Sequence, residues 1–251
     1  MESMLIRERY KVARVLWARR DYALVEAADI QDRETPTRLL NLYEGELLHR
    51  YARICEGIRK EDCPAFRGMF LDGDTLAVVF DDRKGVAIDD VFFRGDSWNW
   101  RERLDYAELV LHHALSMYAL PPEVSCAAML SENLLFDTEK KTVASRHMIP
   151  PLNSMNAREL ALLSGDQILK ILPRRFSSGK CEGAFLDSLE RGEYLSIVTL
   201  YSAWRKTRKA IEEEREAFDK TNPILRGISI LKRVVLRIRF RRKSGGGGAN
   251  I

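Results

Sequence analysis

The hydrophobic pattern of this chain changes period once along its length, and that change restricts the fold more than any other feature. Up to about residue 80 the apolar residues lie mostly in short runs rich in aromatic and β-branched types. The run Tyr10-Lys11-Val12-Ala13-Arg14-Val15-Leu16-Trp17 rises to a polar turn at Arg19-Arg20-Asp21, and Tyr22-Ala23-Leu24-Val25-Glu26-Ala27 returns from it, which predicts a hairpin. Two further strands, 65–71 and 75–80, are joined through Asp72-Gly73-Asp74, and Asp-Gly is a favoured hairpin turn. Between the two hairpins Thr35-Pro36-Thr37 reads as a helix start. Leu39, Leu40, Tyr43, Leu47, Leu48, Tyr51 and Ile54 then recur at three- and four-residue steps, predicting a helix from about Thr37 to Cys55.

From residue 100 onward the period is helical. Leu104, Ala107, Leu111, Leu115 and Tyr118 share one face, and Pro121-Pro122 ends that segment because proline cannot continue a helix. A small hairpin follows, 134–136 paired with 142–144 across the polar turn 137–141. Residues 157–172, 182–190 and 193–220 read as helices. The last starts apolar (Leu195, Val198, Tyr201, Trp204) and becomes a solvated, charged stretch over 205–220, where Lys209 and Glu213 stand at i,i+4. The chain thus divides into a β-rich small lobe (1–80), a helical large lobe (81–205, with a hinge over 81–99), a charged connecting helix (206–223) and a basic tail (224–251). The fold class expected is α+β with two lobes.

Cysteine and charge usage narrow the function classes. Cys55, Cys63, Cys126 and Cys181 form no Cys-x-x-Cys pair and have no His at ligand spacing, so neither a zinc site nor a disulfide framework is expected. His112 and His113 are sequence neighbours and point to different helix faces, so they cannot chelate one metal together. No run of about 18 apolar residues is present, and the charged start lacks the apolar core of a secretory signal, which places the protein in the cytoplasm as an expectation. The chain has 41 basic and 37 acidic residues, but residues 224–251 hold eight of the basic ones and none of the acidic ones. The tail alone therefore calls for an anionic partner.

One stretch carries chemistry. Cys126-Ala127-Ala128-Met129-Leu130-Ser131-Glu132-Asn133-Leu134-Leu135-Phe136-Asp137 resembles the catalytic loop of the protein kinase family, His-Arg-Asp-Leu-x-x-x-Asn and the Asn-hydrophobic run after it, although the same residues also fit an unrelated strand-turn-strand. The resemblance covers residues 5–205 in order of elements and implies a two-lobed kinase-like fold. It also implies that the catalytic positions are degenerate. Cys126, Ala127 and Ala128 stand for the His, Arg and proton-accepting Asp, and Asn133 survives as a vestigial magnesium ligand. Glu26, in Ala23-Leu24-Val25-Glu26, takes the place of the phosphate-binding lysine of Val-Ala-Ile-Lys. Glu44 or Glu46 would be that lysine's helix partner. Ser145-Arg146 replaces the metal-binding Asp-Phe-Gly, and no glycine lies between Tyr10 and Tyr22 to form a phosphate loop.

The combination is similar to the bacterial pseudokinases of type VII secretion. It implies a non-catalytic scaffold or adaptor with no cofactor, held in a membrane-associated complex. An atypical ATP-dependent phosphotransferase and a nucleic-acid-binding regulator are the alternatives. The tail departs from that family's membrane-spanning helix, because Lys232, Arg233, Arg237 and Arg239 interrupt it. As a helix it sets Ile224, Ile228, Leu231, Val235 and Ile238 on one side and Arg226, Arg233, Arg237 and Arg241 on the other, with Arg242 and Lys243 at its end. Alternation of Leu236, Ile238 and Phe240 with arginines also fits a strand. The stripe suits an anionic membrane surface, an acidic protein groove or the chain's own large lobe, whereas the lack of interleaved aromatics disfavours nucleic acid.

Overall fold

The β-prone runs of the first 81 residues build an antiparallel sheet in the computed structural model, which describes residues 4–34, 37–175 and 178–221 together with 227 and 231. The tail cations Arg226, Lys232, Arg233, Arg237, Arg239, Arg241, Arg242 and Lys243 lie outside the described residues. The strands are β1 (Leu5–Ile6), β2 (Tyr10–Arg19), β3 (Tyr22–Asp29), β4 (Thr37–Tyr43), β5 (Phe66–Asp72) and β6 (Thr75–Asp81), in the order β1-β2-β3-β4-β6-β5. The sheet curls until its two sides meet: Tyr10 on β2 stacks on Phe70 of β5 with ring centroids 5.7 Å apart. Helix α1 (Gly45–Glu56) covers one face, where Tyr51 and Cys55 pack on Tyr22, Leu24, Leu39 and Tyr43.

The helix expected from Thr37 is a strand over its first half. β4 is the central strand and both its faces are buried, Leu39 and Tyr43 against α1, Leu40 with Val25 and Val79 on the other side. A strand buried on both faces reads as a continuous apolar run, and here that run fell into helical spacing with the true helix after it. The break between them is Gly45, which adopts φ of +56°, a left-handed conformation that favours glycine.

The large lobe begins with β7 (Val86–Ala87) and α2 (Ile88–Val91), then α3 (Trp100–Met117), α4 (Pro122–Ala128), β8 (Leu134–Asp137) and β9 (Thr142–Ser145). β7, β8 and β9 form a small antiparallel sheet, with Leu134 opposite Ser145. The helices α5 (Ala157–Ile171), α6 (Lys180–Glu190) and α7 (Ile197–Lys220) complete it. Reciprocal capping boxes start α3 (Asn99 with Glu102), α5 (Asn156 with Glu159) and α7 (Ser196 with Thr199), each satisfying helix N–H groups that have no partner within the helix.

Residues 205–220, expected to be solvated, are docked along part of their length. Trp204, Ile211 and Arg215 recur at steps of seven and four on one stripe of α7 and are buried. Trp204 donates its indole N–H to Glu108 at 3.0 Å, Arg208 pairs with Asp105 at 2.7 Å and with Glu108, and Arg215 pairs with Glu182 at 2.7 Å. Among the described residues no helix is long and apolar enough to cross a membrane.

Candidate functional site at the lobe junction

The lobes meet around residues 146–152, which follow β9 and run between the small sheet and α4. Side chains from both lobes hold this segment by its backbone. From the small lobe, Asn41 donates Nδ2 to the His147 carbonyl at 3.0 Å and accepts from Ile149 N–H at 2.7 Å, while Tyr22 donates its hydroxyl to the same amide oxygen at 3.0 Å. Tyr43 donates to the Ile149 carbonyl at 2.7 Å, and Tyr51 donates to Pro150 O at 3.1 Å and accepts from Leu152 N–H at 3.0 Å. Arg50 closes the series with a 2.6 Å bond to Leu152 O. From the large lobe, Asn133 donates Nδ2 to Ala127 O and Met148 O, both at 2.7 Å, and accepts from Met148 N–H at 3.0 Å.

The strand facing this segment is not the one that carries Glu26. Glu26 lies on β3, and β4, expected as helix, stands between it and α1. The strand that runs directly into the helix is β4. On it, Leu39, Asn41 and Tyr43 alternate toward α1 and the junction, so the side chain facing the segment after β9 is Asn41, fully buried. The sequence held a usable signal for it: an amide inside Leu39-Leu40-Asn41-Leu42-Tyr43 must find hydrogen-bond partners if the strand is buried. Glu44 precedes the first turn of α1 without a side-chain capping bond, accepting instead from Thr75 at 3.1 Å, and Glu46 lies in that first turn.

Glu26 itself faces the cleft within an ion network. It accepts from Arg14 at 2.8 Å and lies 3.7 Å from Arg146, which pairs with Asp82 at 2.7 Å just beyond β6. Cys126, Ala127 and Ala128 are not on an open loop. They form the last turn of α4 and are buried, Ala127 and Ala128 within the cluster that also holds small-lobe residues Tyr43 and Phe80. Burial pushes the Cys126 thiol up to about 12, so it stays protonated and unreactive near neutral pH. Ser145 is buried at the end of β9, where it donates to Ala128 O at 2.8 Å. Its single proton is thereby committed, so His113, 2.6 Å away, donates Nε2–H to the serine oxygen.

Next to this, His147 stacks on Phe80 at 4.9 Å with Nε2 3.6 Å from the Cys63 sulfur, and its buried Nδ1 has no hydrogen-bond partner among the described residues. Burial, with Arg83 nearby, lowers His147 to about 3 and His113 to about 4. Both rings are neutral at physiological pH. Asn133 is brought together with the segment after β9, and its amide spends both donors and an acceptor on backbone. Ser145 meets the α4 turn through its bond to Ala128 O, while Glu26 is engaged apart from them with Arg14 and Arg146.

No family model matches this chain, and no curated protein matches it. Solved structures do. The kinase domain of Mycobacterium tuberculosis PknI, in a cysteine-to-alanine mutant, superposes with a TM-score of 0.52 at 13% identity, covering 85% of this chain and 98% of that one. A double mutant of the same domain gives a TM-score of 0.50 at 12% identity, over 86% and 99%. The fold is therefore two-lobed and protein kinase-like, with a curled antiparallel sheet in the small lobe and a mainly helical large lobe.

Proposed function

We propose that this kinase-like protein is non-catalytic and acts as a scaffold or adaptor. The observation that carries the reading is the double clamp on residues 146–152. Phosphoryl transfer needs a lysine on the phosphates, an aspartate on the metal and a base on the nucleophile. By the resemblance, Glu26, Ser145-Arg146 and Ala128 stand at those places, and Asn41 is the polar side chain that β4 turns to the junction. The polar groups that remain are already bonded to backbone or to each other, so binding Mg-ATP would require breaking several buried hydrogen bonds and the Arg146–Asp82 pair.

Calorimetric titration with Mg-ATP, paired with a phosphate-transfer assay, tests this. The expected result is no saturable heat and no transfer. Dissociation in the micromolar range that vanishes when magnesium is withheld would overturn it. It would favour the competing reading, an atypical phosphotransferase, which draws on the likeness to kinase domains.

The setting of the adaptor role is inferred from sequence. By its resemblance to type VII secretion pseudokinases we place it at the cytoplasmic face of a bacterial membrane complex, with the basic residues of 224–243 meeting an anionic surface. Each Lys or Arg close to an anionic leaflet contributes about 1 kcal/mol. Full-length protein is thus expected to co-sediment with anionic liposomes at low salt and to be released as salt rises, while a 1–223 truncation stays in solution. Equal sedimentation of the two would remove the membrane from the reading and leave a protein partner.

A further inference from the structure

Away from the lobe junction, the large lobe has a concavity of about 490 Å³, between the end of α2 and the end of α5. Its lining includes five cationic side chains, Arg94, Arg103, Lys170, Arg174 and Arg175, and no Asp or Glu among the described residues. Phe93, exposed at 57%, is an aromatic wall of the same pocket. That size fits a small organic ligand, and its walls offer both an apolar body and a concentration of positive charge.

Local needs account for only some of these cations. Arg103 is buried and holds Asp96, and it donates at 2.6 Å to the Ile171 carbonyl at the end of α5. Lys170 pairs with Asp89 at 2.5 Å and Arg174 with Asp187 and, at 3.2 Å, with Glu190. A helix C-terminus attracts cations, but this one already has Arg103 on its carbonyl and Lys170 in its last turn. Arg94 and Arg175 have no acidic partner among the described residues. Burial, and next the Arg103 charge, hold Arg175 below the usual arginine range, although Asp96 and Glu182 lie near enough to oppose that shift in part; both carboxylates are paired with other arginines, Asp96 with Arg103 and Glu182 with Arg215.

We infer that this pocket binds a phosphate monoester carried on a flat apolar group, with Arg94 and Arg175 taking the phosphate and Phe93 packing on the body. Guanidinium forks match phosphate oxygens in paired hydrogen bonds, and two arginines free of carboxylates can turn to a ligand without giving up an existing ion pair. A lone inorganic anion would use the charge and leave the Phe93 wall idle. The inference concerns the large lobe alone and does not depend on whether the lobe junction is catalytic.

Phenyl phosphate and inorganic phosphate, titrated separately into the full chain by calorimetry at low ionic strength, are the probes. Phenyl phosphate is expected to bind saturably and several-fold tighter than inorganic phosphate. The Arg94→Ala/Arg175→Ala double variant should weaken phenyl phosphate at least tenfold, and Phe93→Ala should remove the preference over inorganic phosphate. Unfolding curves of each variant matching the parent would show that lost binding is not lost folding; all three side chains lie outside the buried core, so matching curves are expected. Phosphotyrosine amide and a phosphotyrosine peptide then separate the sources. Much tighter peptide binding assigns the ligand to a partner's phosphorylated segment, equal binding to a free small molecule. The inference is overturned by no saturable binding of phenyl phosphate, by equal affinity for the two phosphates, or by a double variant that binds as the parent does.

Discussion

Asn133→Ala is expected to destabilise the folded protein by about 3 to 5 kcal/mol, one of the two largest effects anticipated for this chain. The amide has no exposed surface and makes three bonds to backbone: to Ala127 O, to Met148 O and from Met148 N–H. Removing it leaves those groups buried and unpaired, and each buried unsatisfied group costs about 1 to 3 kcal/mol. The carbonyls of Ala127 and Met148 are on opposite sides of the junction, one on α4 and one on the segment after β9, so the loss also loosens how that segment is held.

A metal-ligand role makes the opposite forecast. A residue kept for magnesium would be dispensable to the free protein, and its loss would show only in nucleotide binding. Urea unfolding of parent and variant separates the two: a change of less than about 1 kcal/mol would sink the structural role and revive the metal-site reading. Asn133→Asp is an informative companion. It keeps the acceptor for Met148 N–H but exchanges both donors for a buried charge near two carbonyl oxygens, so it should be no milder than alanine.

Asn133 also shows what could be read from the chain alone. Its place after a proline-terminated helix and before a short hairpin was legible, because prolines, polar turns and apolar runs act locally. The same locality recovered β2 and β3, the β5–β6 hairpin and the three late helices. It failed at β4, where a strand buried on both faces shows no alternation, and the buried amide of Asn41 went unnoticed with it. The clamp on 146–152 was not legible for a different reason. Asn41 and Tyr43 bond to residues more than a hundred positions away, and sequence spacing holds no trace of a contact made by the meeting of two lobes.

Acidification is expected to destabilise this protein strongly, beginning below pH 6.5 before most carboxylates titrate. In the unfolded chain a histidine takes up a proton near pH 6.5, whereas folded His113 and His147 are held to about 4 and about 3. As pH falls below 6.5 the unfolded state therefore binds protons that the folded state refuses. Stability is complete above that pH and is lost progressively as pH falls toward 4, with the His147 contribution continuing to about 3. Each unit of difference is about 1.4 kcal/mol, so the two rings together represent a loss on the order of several kcal/mol by pH 4.5. Asp29, held below the usual carboxylate range chiefly by its hydrogen bond from Arg9, contributes its own loss only at lower pH. The groups around the rings offer no relief: Cys63, Phe80 and Ser145 are neutral, and Arg83 repels a second cation. Urea midpoints at pH 7 and 4.5 for the parent and for His147→Phe, which preserves the stacking on Phe80, measure the effect. The parent should lose a large share of its stability over that interval and the variant distinctly less. If parent and variant lose the same amount, protonation of His147 is not what limits the fold in acid.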